Sequence, residues 1–284
     1  MAAAPAAPAA PARVAPPGFD RFAWAEETQG AQALARVGGR SARTRQRLEA
    51  SPGFALARAR ATAILNDPRQ IPIGLIHGRQ LANFWQDAGH PRGMWRMAPL
   101  DGYLADAPRW RTLLDLDALA AAERRNWVWK GATCLEPERL RCLVALSDGG
   151  ADAVELREFD LAAGRFVAGG FRLLAAKQTA QWLDADTLLV QSDFGPGTRT
   201  AAGYGRQVRR LVRGQAPADA PVVAEGAASD VGMTPQVAWS AGRAFAMIRR
   251  ATDFWNGALF HLAPGGQLVA APLPPDAAVE AVVD

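Results

Sequence analysis

The sequence predicts an all-β fold, a partial β-propeller of about four blades preceded by an N-terminal helical arm. Three observations carry that reading. From Ile73 onward a strand-rich unit recurs about every 50 to 60 residues, the mark of a repeat architecture. Within each unit the apolar pattern has period two, whereas before Ile71-Pro72 it has the three- and four-residue spacing of helices. Equivalent third-strand positions, Trp95, Leu156, Val208 and Leu259, follow one another at 61, 52 and 51 residues. The expected organisation is a disordered tail over 1–18, a helical arm over 19–70 and an incomplete propeller over 71–284.

The tail is Ala and Pro apart from Met1, Arg13, Val14 and Gly18. It has neither the basic start nor the unbroken apolar block of a secretory signal, so the chain is expected in the cytoplasm. In the arm, Leu34, Val37, Ser41, Thr44 and Leu48 mark a helical stripe that Gly38-Gly39 is expected to kink or break. Arg40, Arg43 and Arg47 share the opposite, solvated side. Ser51-Pro52 has the pattern of an N-cap followed by proline at the first helical position. A second helix is expected to bury Phe54, Ala57, Ala61, Ile64 and Leu65 and to end at Asn66-Asp67-Pro68.

The first blade is expected in Leu75–His77, Leu81–Trp85, Gly93–Met97 and Arg111–Asp115, with Gly78-Arg79 as the first turn. The second uses Trp127–Trp129, Arg141–Leu146, Val154–Asp160 and Arg165–Val167. The third runs through Thr179–Trp182, Thr187–Val190, Gln207–Leu211 and Pro221–Val223. The fourth takes Gln236–Trp239, Ala244–Ile248, Ala258–Leu262 and Gln267–Val269. Near-continuous apolar runs such as Cys142–Leu146 fit blades buried on both faces. Trp85, Trp95, Trp127, Trp129, Trp182, Trp239 and Trp255 sit at strand positions and are expected to pack between blades rather than line a ligand tunnel.

Composition narrows the function. A hydrophobic fraction of 49% with nine tryptophans excludes a disordered chain. No apolar run approaches the roughly 20 residues that cross a bilayer, so no membrane partner is expected. The basic excess sits on the arm: residues 1–65 hold nine Arg against four acids, while the rest holds 23 basic and 24 acidic side chains. A nucleic-acid surface would need a basic stripe on the folded body, so none is expected.

Catalytic motifs are missing. No Gly-x-Ser-x-Gly elbow occurs, and Gly39-Arg40-Ser41-Ala42-Arg43 fails at its second glycine. Gly203-Tyr204-Gly205 lacks the third glycine of a dinucleotide fingerprint. There is no Walker sequence and no His-Glu-x-x-His. His77, His90 and His261 fall in unrelated repeats and are expected to cap hairpins or face solvent. Cys134 and Cys142, the only cysteines, are expected as reduced and mostly buried thiols, although a hairpin around Leu135–Arg139 could bring them close. No catalytic, cofactor-binding or metal-ligating residue is assigned, and no cofactor is expected.

Several segments together resemble the N-terminal part of the prolyl oligopeptidase family of serine peptidases. Phe22-Ala23-Trp24-Ala25-Glu26-Glu27 is similar to the family's Tyr-x-Trp-Leu-Glu-like element. Ala35–Thr44 is similar to its Val-x-x-Gln-Asn-x-x-Thr helix, with Gly39 and Arg40 in place of the polar pair. Asn83–Arg96 resembles the first-blade hairpin of bacterial members, and Leu113–Asp117 the strand that closes that blade. Asn126–Gly131, Ser192–Gly197 and Ala228–Gly232 extend the likeness. The resemblance implies a seven-bladed propeller capping an α/β-hydrolase domain, with Ser, Asp and His all C-terminal to the propeller. No triad residue can be carried over to this chain.

The expected function is therefore the propeller portion of an oligopeptide-cleaving serine peptidase, gating substrate access and inactive without its missing α/β-hydrolase partner. The alternative is a non-catalytic propeller that binds a peptide or protein, and a third possibility is a remnant with no role of its own. Four blades of a seven-bladed ring would leave two terminal sheet faces exposed, so self-association is expected.

Overall fold

The period-two alternation that begins after the arm becomes four antiparallel sheets in the computed structural model, which describes residues 20–27, 29–67 and 69–278. The expected tail over 1–18 and Pro68 lie outside the described residues. The chain divides into two compact units between Leu65 and Asn66.

The first unit holds α1 (Ala31–Glu49) and α2 (Phe54–Leu65), preceded by a short 3-10 turn at Ala23–Ala25. α1 runs through Gly38-Gly39 without a break, contrary to the expected kink. The flanking Ala, Arg, Gln and Leu are strong helix formers, and they absorb the roughly 1 kcal/mol that each glycine costs. Ser51 does not cap α2. Its Oγ donates to the Leu48 carbonyl at 2.7 Å, closing the end of α1 instead. The expected apolar faces stay uncovered: Ile64 and Leu65 are 71% and 70% exposed, and Leu34, Val37 and Leu48 are exposed too. Two helices in this unit offer each other too little surface to bury them, and among the described residues of the unit only Ala33 is buried.

The first blade is β1 (Gly74–His77), β2 (Gln80–Trp85), β3 (Met94–Pro99) and β4 (Arg111–Asp115), paired in that order. A five-residue helix, α3 (Leu100–Leu104), joins its last two strands, and α4 (Leu116–Glu123) leads to the second blade. The Asp115 carboxylate caps α4 by accepting from the Ala118 N–H at 3.0 Å. The β2–β3 turn needs glycine at Gly93, where φ is +93° and a Cβ would strike the Phe84 ring.

The second blade is β5 (Trp127–Cys134), β6 (Arg141–Asp148) and β7 (Val154–Asp160), with a divided outer strand. β8 (Arg165–Phe166) pairs with the end of β7, and β9 (Arg172–Ala176) pairs with its beginning. The sequence reading placed the closing strand at 165–167 and missed β9. The third blade is β10 (Thr179–Asp184), β11 (Thr187–Gln191), β12 (Gln207–Val212) and β13 (Val222–Glu225). The fourth is β14 (Gly232–Ser240), β15 (Arg243–Ala251), β16 (Gly257–Leu262) and β17 (Leu268–Ala270). Trp95, Leu156, Val208 and Leu259 all fall on third strands, as their spacing predicts.

β10 packs against both β5 and β14, so the first strands of successive blades converge, which is the radial arrangement of a propeller. Three apolar layers fill the spaces between sheets. Trp95, Leu114, Trp127, Val144 and Phe159 join the first two blades. Leu143, Phe171, Trp182, Leu188 and Leu211 join the second and third, and Leu189, Val208, Met233 and Ile248 the third and fourth. Each middle blade is buried on both faces, which explains the unbroken apolar run on β6.

The terminal faces are less bare than expected. On the first blade, Leu81, Asn83 and Ala98 are buried, α3 packs over β2 and β3, and the Asn83 Nδ2 donates to the Ile73 carbonyl at 2.7 Å. On the fourth, the segment after β17 folds back, and the Gly257 N–H donates to the Pro275 carbonyl at 2.8 Å.

Two further expectations are corrected. Cys134 and Cys142 are joined by a disulfide, not reduced, because the β5–β6 register makes them direct cross-strand partners. Trp255 is 75% exposed at the β15–β16 turn and packs between no blades. His77 is buried at the end of β1, with Nδ1 3.3 Å from the carbonyl oxygen of Arg139 in the β5–β6 turn. His90 pairs with Asp87 in the β2–β3 loop at 3.1 Å, and His261 is exposed on β16.

Candidate functional site

A middle blade buried on both faces must also bury its charged residues, and β7 does so in alternation. Glu155, Arg157 and Phe159 point toward the first blade, and Leu156 and Glu158 toward the third. Arg157 donates to Glu123 at the end of α4 through Nη1 and Nη2, at 2.6 and 2.9 Å, and to Glu155 through Nε at 2.7 Å. Glu123 also accepts from the Trp127 indole at 2.8 Å, and Arg172 on β9 adds a bond to Glu155. The Arg157 guanidinium beside Glu123 holds that carboxyl below its ordinary value.

On the other face, the Glu158 side chain is fully buried. It accepts two bonds from Arg213 at 2.7 and 3.2 Å, one from Arg141 at 3.1 Å and one from the Phe171 N–H at 2.8 Å. Arg213 follows β12, so this cluster ties the second blade to the third. Its guanidinium also lies 4.5 Å over the Phe171 ring and pairs with Asp186 at 2.7 Å. Glu158 and Asp186 together hold its pKa above the ordinary value. The Trp182 indole adds a neutral tie, donating to the Thr133 carbonyl at 2.9 Å. Between the third and fourth blades, Asp230 accepts from Arg250 at 2.8 and 3.1 Å and from the Ala227 N–H at 2.6 Å. Bidentate arginine–carboxylate pairs of this kind add geometric specificity to the contacts they make.

An open cleft beside these clusters, about 700 Å³, is lined by β9 and the β11–β12 loop, including Lys177, Gln178, Ser192, Asp193, Phe194 and Arg199. Its cations are matched. Lys177 pairs with Asp152 at 3.2 Å, Arg199 with Asp193 at 3.4 Å and Arg172 with Glu155 at 2.8 Å. The Ser192 hydroxyl donates to Gln178 Oε1 at 2.9 Å, and Gln178 is held in turn by the Val154 and Leu174 carbonyls. A serine spent on an amide, with no histidine base beside it, is not an activated nucleophile. Among the described residues no group of three His, Cys, Asp or Glu side chains is placed to hold a metal ion.

Glu158, Arg213 and Arg250 were not singled out from the sequence, where a charged strand residue reads as solvated. The available signal was Glu155 and Glu158 on a strand whose neighbours Leu156 and Phe159 face opposite blades.

Four-stranded antiparallel sheets set radially, with their first strands converging and charged forks between them, define a β-propeller. The chain belongs to the prolyl oligopeptidase family: the model for the prolyl oligopeptidase N-terminal β-propeller domain matches residues 13–276. It is 37% identical over 213 residues to the uncharacterized peptidase y4nA of Sinorhizobium fredii, covering 75% of this chain and 29% of that protein. The uncharacterized peptidase RP174 of Rickettsia prowazekii is 30% identical over 199 residues, 67% of this chain and 28% of its own length. Among solved structures, a post-proline cleaving enzyme from Rickettsia typhi superposes with a TM-score of 0.81 at 26% identity, covering 89% of this chain and 38% of that one. Prolyl oligopeptidase B from Galerina marginata shares the fold at a TM-score of 0.60 and 12% identity, over 88% of this chain and 37% of its own. The chain thus spans about three tenths of the curated relatives it matches.

Proposed function

We propose that this chain is the access-controlling propeller portion of a serine oligopeptidase that cleaves short peptides after proline, with the cytoplasm as its setting. The nucleophilic chemistry belongs in this reading to an α/β-hydrolase domain paired with the propeller. There an activated serine attacks the scissile carbonyl and backbone donors hold the oxyanion. The propeller contributes by exclusion: blades locked to one another by buried forks leave a passage that an extended peptide enters and a folded protein does not. The observation that carries the proposal is the likeness to the Rickettsia typhi enzyme along 89% of this chain. The cleft's serine, committed to Gln178, supports placing the chemistry elsewhere.

A proline-containing chromogenic peptide tests the assignment. The chain alone is expected to release no chromophore, and turnover that a serine-directed phosphonate abolishes would overturn the placement of the chemistry. For gating, the chain is added to the separately produced remainder of the Sinorhizobium fredii relative. The ratio of short-peptide to casein cleavage is expected to rise, and an unchanged ratio would refute access control.

A further inference from the structure

The Cys134–Cys142 bond sits at the last paired position of the β5–β6 ladder, at the base of the tip formed by residues 135–140. Below it the register runs down to Trp127 and Asp148, and Cys142 is buried in one apolar layer with Trp95, Val144 and Leu146. Ladder and layer hold this blade whether or not the sulfurs are joined. What the bond constrains is the tip beyond it.

The tip reaches out of its own blade. Arg139 Nη1 donates to the Ile76 carbonyl at 3.1 Å, and the Arg139 carbonyl oxygen lies 3.3 Å from His77 Nδ1, so the end of β1 is clasped by one residue. The Leu161 N–H, just after β7, donates to the Leu140 carbonyl at 2.9 Å. Inside the tip, the Arg139 N–H donates to the Leu135 carbonyl at 2.9 Å, and the Arg139 guanidinium pairs with Glu136. Arg139 makes these contacts with φ at +55°, a left-handed backbone that is unfavourable for a residue with a Cβ. A tip strained at the residue that makes the clasp depends on being pinned at its base, and the disulfide is the pin. Because the loop it closes is short, its effect falls on local opening of the tip more than on the whole fold.

Cys134 is half-buried and Cys142 fully buried, so the Cys134 sulfur is the one that an attacking thiolate reaches. In the cytoplasmic setting proposed for the chain, permanent disulfides are rare, and those that form are mostly transient or redox-sensing.

We propose that Cys134–Cys142 is a reversible redox latch: a small thiol such as glutathione reduces it, the β5–β6 tip releases Ile76 and His77, and the blades stay folded. The reductant thiolate attacks Cys134, the bond to Cys142 breaks, and Cys142 leaves and takes up a proton. A second thiol frees Cys134 and carries off the first as a disulfide, so the pair gains two electrons and two protons. The oxidised form of the same small thiol reverses these steps. The latch lies within the second blade and at its junction with the first, and it does not rest on the peptidase reading.

The test equilibrates the full chain in glutathione buffers from oxidising to reducing, traps thiols by alkylation and reads the reduced fraction by mass spectrometry. Both forms are expected to be populated across the series and to interconvert, with far-UV circular dichroism unchanged. Hydrogen exchange then reads the tip. The Leu135, Arg139 and Leu161 amides are expected to exchange at least about tenfold faster after reduction, a modest effect for loss of a cross-link around a short loop. The Val144 amide, inside the ladder, is expected to keep its rate. Cys134→Ser is expected to show the fast tip in oxidising and reducing buffer alike. A pair that stays oxidised in millimolar reduced glutathione, a reduction that unfolds the chain, or tip exchange that ignores the thiol state would overturn the proposal. If Cys134→Ser does not fold, the two redox forms of the unaltered chain decide alone.

Discussion

Replacing Glu158 with glutamine removes one charge, changes almost no volume and strikes the point where the second and third blades are tied. Four N–H groups converge on this carboxylate, two from Arg213, one from Arg141 and one from Phe171. A glutamine keeps one acceptor oxygen and turns an NH2 group toward donors that had an oxygen, so some of those bonds become donor-to-donor contacts. Breaking a buried ion pair by removing one partner costs about 3–5 kcal/mol. Arg213 and Arg141 retain 30% and 42% side-chain exposure, so both can regain water and the figure must be discounted. We expect Glu158→Gln to destabilise the chain by about 2–4 kcal/mol in urea unfolding. For a chain of this size that corresponds to a Tm lower by about 5–15 °C. Combining it with Arg213→Met should reveal a coupling of at least ~1.5 kcal/mol in a double-mutant cycle. The exposed Glu138→Gln serves as control and should stay within about 0.5 kcal/mol of the parent. A Glu158→Gln chain as stable as that control, or losses that simply add with Arg213→Met, would refute the idea that this cluster locks adjacent blades.

Two other predictions use the same unfolding measurements. Arg250 beside Asp230 holds that carboxyl below its ordinary value, so its contribution is complete above about pH 5 and is lost as the pH falls through the ordinary and then the lowered native value. The Tm gap between the parent and Asp230→Asn should therefore be constant from neutral pH to about pH 5 and close in stronger acid; a gap that widens on acidification would contradict the pairing. Trp182→Phe loses a buried indole's bond to the Thr133 carbonyl and should cost about 1–2 kcal/mol, whereas Trp255→Ser, at an exposed turn, should cost less than about 0.5 kcal/mol. Equal shifts would show that the two tryptophans are not distinguished by packing.

Strand identity was legible because it is local. Period-two alternation, turn glycines and a repeat of about 50 to 60 residues placed a strand of the right rank at every third-strand marker. The boundaries that failed depended on partners distant in sequence. β9 was missed because the outer strand of its blade is split in two. The break is bridged by the Phe171 N–H bonding to the buried Glu158 carboxylate, and no local pattern reports that bond. The Gly38-Gly39 pair carries an intrinsic penalty that can be read from the residues, but whether it breaks a helix depends on the strength of the turns on either side. Cys134 and Cys142 became opposite partners through the β5–β6 register, which the spacing permits but does not impose.

The sequence by itself determined that the body is a succession of antiparallel sheets behind a helical arm, and it carried the resemblance to the prolyl oligopeptidase family. Only the tertiary structure decided which charged residues are buried and to what end. A strand presents charges on both faces, and whether a face meets solvent or a neighbouring blade depends on how whole sheets stack. That stacking turned Glu158 and Arg213 into a lock between blades.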